Sequence, residues 1–148
     1  MTAMHQISQN VYFQPVIYPV AGLGVTIQPS GAYIDVSPFD AFGFLVMVGV
    51  CDRTTATIQI VQATAAAGTG SKNLTGAVNV TLPTSNSKAA LVESRTEALD
   101  LNNGFRYVAI QPTFSGGTTD TGTILFFAWR ARALAVTQPA AITSIITV

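Results

Sequence analysis

Cys51-Asp52-Arg53 places a thiol, an acid and a base side by side, and Cys51 is the only cysteine in the chain. A cation next to a thiol lowers its pKa and favours the thiolate. The triplet therefore has the residue types of an activated nucleophile. Such a nucleophile also needs a general base, usually histidine, and the only histidine, His5, stands near the N-terminus. The competing reading makes Cys51 a small buried hydrophobe that ends a strand. Asp52-Arg53-Thr54-Thr55 would then turn the corner, with the aspartate bonding its own backbone. This second reading is preferred. It makes the triplet the bend of a hairpin with Arg53 exposed at the tip, available to a neighbour or to water.

The remaining candidate chemistry is thinner. The seven acids, Asp35, Asp40, Asp52, Glu93, Glu97, Asp100 and Asp120, are spread out. Their spacing does not call for a glycosidase pair. "GGTTDTG" offers one carboxylate where a calcium loop uses several. "AAAGTGSKN" lacks the spacing of a phosphate-binding loop, and Lys72 is followed by Asn73. "NLT" and "NVT" match the glycosylation acceptor pattern, but "MTAMHQISQN" has no signal-peptide character, so they are taken as incidental. A lone cysteine leaves no zinc cluster. No cofactor and no metal are expected, and the chain is not expected to be an enzyme. Arg130 and Arg132 share a strand face. They read either as an ion-paired sheet face, with Glu93 or Glu97 as partners, or as a contact with an acidic neighbour.

These residues must be positioned by strands. "TATIQIVQA" alternates, Ile58 and Ile60 against Thr57, Gln59 and Val61, which is the period of a half-buried strand. "FLVMVGV" has no period, so it reads as a central strand covered on both faces. "FRYVAIQPTF" and "TILFFAWRARALAV" are further strands, and "AVNVTL" is a short one. "PSG", "PTSNSK", "NNG" and "SGGTTDTG" are turns, the last of hairpin length. "AALVESRTEALDL" fits a helical face poorly and reads as extended segments with one helical turn. About eight short strands and no convincing helix predict an all-β fold, a single β-sandwich or jelly-roll domain over residues 23–136. Residues 1–22 read as an extended N-terminal arm, apolar yet broken by Pro15 and Pro19, which packs on its own domain or on a neighbour. Residues 137–148 read as an apolar C-terminal tail.

Composition narrows the function. The chain has 148 residues, a formal net charge of +0 and only 9% charged residues, against roughly a quarter in an ordinary soluble domain. A surface so poor in charge has little to repel neighbours, which points to an oligomer or a piece of a larger assembly. Five arginines and two lysines, mostly scattered, do not make a nucleic-acid surface. The longest apolar run, Phe42 to Cys51, is about half of the ~20 residues of a membrane helix. Neither nucleic acid nor membrane is expected as a partner. The cysteine usage fits synthesis in a reducing cytoplasm.

Three stretches, "ATIQIVQATAAAGTGSKNLTGAV", "EALDLNNGFRYVAIQPTF" and "GTILFFAWRARA", resemble small head proteins of tailed bacteriophages. The resemblance covers roughly residues 43–135. It implies a capsid decoration, or cement, protein: a small β-sandwich or jelly roll bound to the outside of an assembled shell, often as a trimer. The implied partners are the major capsid protein and further copies of the chain. The implied location is the virion surface, after synthesis in the host cytoplasm. Contacts are expected at Val11, Tyr12, Phe13, Val16, Ile17 and Tyr18 on the arm, and at Ile142, Ile145 and Ile146 on the tail. Arg53, Arg130 and Arg132 are further candidates. The alternatives are a tail-tube or head-completion protein, and a carbohydrate-binding module with Trp129 and Tyr33 as platforms.

Overall fold

In the computed structural model of the chain, residues 7–22, 28–29, 32–75, 80–81, 86–117, 119–131 and 137–142 are described. They form two antiparallel sheets packed face to face, an all-β sandwich as expected. The first sheet holds four strands in the order β1 (Val11–Ala21), β9 (Asp120–Ala131), β3 (Phe39–Cys51), β7 (Lys88–Arg95). The second runs β2 (Ile34–Asp35), β8 (Tyr107–Ser115), β4 (Thr55–Ala63), β5 (Lys72–Asn73), and β6 (Val80–Thr81) also pairs with β4. First pairs with last, second with last but one, β3 with β7, and β4 with β5 and β6. That is a chain folded double and then rolled, so that β9 also meets β3 and β8 also meets β4. This topology is a jelly roll.

The core lies between the sheets because each strand sends alternate side chains inward. Phe42, Phe44, Val46 and Val48 of β3 and Ile124, Phe126 and Ala128 of β9 meet Ile58 and Ile60 of β4 and Val108 and Ile110 of β8. Phe126 anchors the aromatic contacts, stacked with Phe42 and edge-on to Phe44. A smaller cluster of Tyr33, Val61, Ala63 and Ala109 covers the far side of the second sheet.

Four expectations change. First, Cys51-Asp52-Arg53 is not a hairpin bend. β3 and β4 lie in different sheets, so the triplet is a corner that carries the chain from one layer to the other. The "SGGTTDTG" loop is likewise a crossover between β8 and β9 rather than a hairpin. Alternation reports which residues face the core, and a short loop can join strands in either layer. Second, the segment read as an arm is in its described part strand β1, paired with β9 from Val11↔Trp129 to Ala21↔Thr121. Its Tyr12, Val16 and Ile17 pack against the core, so the surface it covers is its own domain's. Third, "AALVESRTEALDL" is one strand to Arg95 followed by two 3-10 turns, Thr96–Ala98 and Leu101–Asn103, which tuck Thr96 and Leu99 inward. Fourth, the described residues cover β3 fully on its inner face but only in part on its outer one, where Ala41 and Gly43 are buried. Leu45 is half-buried and Met47 is 40% exposed on the outer one.

Candidate interaction surface

The two crossovers lie side by side and lock each other. Asp52 N–H donates to Thr119 O at 3.0 Å, Thr119 N–H to Asp52 Oδ1 at 2.7 Å, and Thr54 N–H to Ser115 O at 3.1 Å. Arg53 folds inward. Its Nε donates to Asp120 Oδ1 at 2.7 Å, one terminal nitrogen donates to the same oxygen, and the other reaches Gly117 O at 3.0 Å. The Asp120 side chain is fully buried and that of Arg53 is 22% exposed. A buried carboxylate requires such a partner. Gly117 has φ +64, and a Cβ there would lie 2.4 Å from Asp52 O. Cys51 is buried, and its N–H bonds Asn86 Oδ1 at 2.9 Å. This end of the sandwich is a structural clasp, and Arg53 is engaged within its own chain.

The other named residues are spread over the first sheet and its edge. Tyr12 packs tilted against Phe39 and edge-on to Phe126, and burial pushes its phenol above the ordinary value. Val11 and Phe13 are half-buried on the outer face, and Tyr18 is 62% exposed. Ile142 is half-buried, while Ile145, Ile146 and Arg132 lie outside the described residues. In the tail, Gln138 bonds Phe13 N–H at 3.0 Å through its oxygen, and donates to Val11 O at 2.6 Å and Ser8 O at 3.0 Å. Arg130 is exposed, with φ 56, so the strand's alternation breaks there. It lines a shallow recess with Glu93, Arg95 and Trp129, while Glu97 is bonded by Arg95 at 3.0 Å. Elsewhere Lys72 donates to Asp100 and lies over the Phe105 ring. The hydrogen bonds from Lys72 and then Asn103 hold the Asp100 carboxyl below the usual range.

What the strands bring together is the outer face of the first sheet. Its rows follow from the register. Val11, Trp129, Ala41 and Arg95 align in one. Phe13, Phe127, Gly43 and Glu93 form the next, then Pro15, Leu125, Leu45 and Leu91, and then Thr123, Met47 and Ala89. Phe127 and Trp129 stack at 5.3 Å and 15°. A Cβ on Gly43 would lie 2.7 Å from the Phe127 ring, so the glycine lets that ring lie across the sheet. Beyond Met47 the face opens into a groove of about 510 Å3 between β1 and β3, walled by Val20 and Met47 and floored by Gly122. Among the described residues, the charges at this face lie on its rim, at Glu93, Arg95 and Arg130. The aperiodic runs "FLVMV" and "TILFFAW" carried the signal of this surface, since they are apolar at both parities.

Among the described residues, no group of three acidic, histidine or cysteine side chains is placed to hold a metal, and no helix is long and apolar enough to cross a membrane. No family model matches the chain, and no curated protein matches it in sequence. Among solved structures, a chain in the structure of infectious bursal disease virus, Gx strain, is similar over 83% of this chain, at 12% identity and a TM-score of 0.39. This chain spans 33% of the length of that one. At that score the likeness says nothing of function, and the fold assignment rests on the strand pairing.

Proposed function

We propose that the chain is a non-enzymatic structural protein of a virion, which binds the outer surface of a phage capsid and holds neighbouring capsomers together as a homo-oligomer. The observation that carries this reading is the outer face of the first sheet. Apolar side chains run across four strands there, and the described residues leave Met47 and Leu91 exposed and Val11, Phe13, Leu45, Leu125, Phe127 and Trp129 only half-buried. A central strand apolar on both faces is expected where both faces are buried, so a protein surface is the natural cover for the second one. The phage-head resemblance of residues 43–135 supplies the setting. Each ~100 Å2 of apolar area covered would contribute ~2.5 kcal/mol before ordering costs. Repetition over many copies on a shell multiplies a modest contact. Val11, Phe13 and Tyr18 are the arm positions that remain exposed or half-exposed for the major capsid protein, and Ile142 on the tail is half-buried. The carbohydrate reading loses one of its platforms, because Tyr33 is 7% exposed and Gly68 packs against its ring.

The test is co-sedimentation with empty shells of the phage that encodes the chain. The wild-type protein is expected to pellet with the shells. Tyr18→Asp, at a site already 62% exposed, is expected to pellet less while keeping its melting temperature. A protein that stays in the supernatant with native shells would contradict the proposal.

A further inference from the structure

We infer that the open edge of β7 pairs antiparallel with the same edge of a second copy, Leu91 meeting Leu91 on a two-fold axis. The sheet edges differ in how they are closed. β1 carries Pro15 and Pro19, which lack an N–H, and its register shifts between Pro15 and Ile17 and again between Ile17 and Val20. The Gln138 amide already satisfies Phe13 N–H and Val11 O along it. The strands named at the edges of the second sheet are two residues long. β7 has none of these protections. Its eight residues, KAALVESR, contain no proline or glycine, and they keep unbroken register with β3 from Val48↔Lys88 to Ala41↔Arg95. Among the described residues no strand lies on its far side. Alternate N–H and C=O groups of such an edge point outward and template another strand.

The choice of a second copy follows from what β7 would meet. A two-fold axis perpendicular to the sheet sets outward residues opposite outward residues, so one residue must face itself. Centred on Leu91, Ala90 faces Val92 of the second copy, Ala89 faces Glu93, and Lys88 faces Ser94. No like charges oppose each other, and the apolar centre meets itself. Centred on Val92, Leu91 would face the Glu93 carboxylate. Centred on Ala90, Lys88 would face Val92, and fewer residues would pair. The Leu91 register also continues a row. Pro15, Leu125, Leu45 and Leu91 form an apolar ladder across the four strands. It ends at the open edge on Leu91, which is 54% exposed. Pairing two edges joins two such ladders end to end and makes one eight-stranded sheet with an apolar row running across the joint. The chain's own described tail is held at the opposite edge by Gln138, three strand spacings or roughly 14 Å away, so it is not the occupant. This inference does not depend on the virion reading: a chain that pairs but ignores shells keeps the one and loses the other.

The test uses the full chain in solution. Sedimentation equilibrium of the wild type is expected to give the mass of two copies or a multiple of it. Leu91→Lys sets like charges opposite each other, and is expected to weaken association about tenfold or more with unchanged circular dichroism. A second variant guards against misfolding. Residues directly opposite in an antiparallel pair have Cα atoms about 4.5–5.5 Å apart, within the span of a disulfide. Leu91→Cys is therefore expected to cross-link into a covalent dimer on mild oxidation. Glu93→Cys is not, because its two copies would stand about 14 Å apart, four residues along the strand. The buried Cys51 does not compete. A monomer at every concentration would overturn the inference. So would a three-fold mass indifferent to Leu91→Lys, or equal cross-linking of the two cysteine variants. Cross-linking of Leu91→Cys to a capsid subunit instead of to itself would also overturn it.

Discussion

Arg53 and Asp120 are far apart in sequence, yet they set the end of the sandwich where both crossovers turn. Asp120 is a buried carboxylate whose charge is compensated from the neighbouring corner. Removing one member of a buried pair leaves the other uncompensated. Arg53→Ala is thus expected to cost about 3 kcal/mol, read as a lower urea midpoint with an unchanged slope, and Arg53→Lys is expected to recover only part of it. The sequence shows the acid, the base and the thiol, and it correctly suggests a turn. It does not show that the base reaches the next corner, because that proximity exists only after β3 lies beside β9 and β4 beside β8. Cys51 was legible as a buried strand end for a local reason: the run before it is apolar and the residues after it favour a turn.

At the scale of elements, alternation identified β4 and β8 and the faces they turn inward. It could not say which sheet each strand joins, because both sheets present the same period to the same core. Hence two short corners looked like hairpins. The N-terminal segment shows a second limit. Prolines at 15 and 19 argued for an arm, but β1 lies at a sheet edge, where a missing donor costs little. In a jelly roll the first strand pairs with the last, so β1 closes the sheet over Phe126. A chain lacking residues 1–21 is therefore expected to lose its cooperative thermal transition by circular dichroism. An appended arm would leave that transition where it was. Point substitutions at exposed positions, rather than truncation, are the way to probe contacts along this segment.

At the scale of the whole molecule, the low charge and the apolar outer face make one argument. The 9% charged fraction is what an assembling surface would need, and the aperiodic strands carry the apolar residues of the outer face. Neither told which face of which sheet was left over, since that depends on how the two layers close. Among the described residues, the closed sandwich leaves the outer face of the first sheet partly open from Trp129 to Met47, with Leu91 at an unpaired edge. An assembly that uses this face must hide it. Oxidative footprinting of the free chain and of intact virions measures that directly, because methionine and tryptophan oxidise according to their exposure. Met47, 40% exposed in the single chain, and Trp129 are expected to oxidise readily in the free protein and to be protected in the virion. Equal oxidation of both residues in the two states would contradict the account.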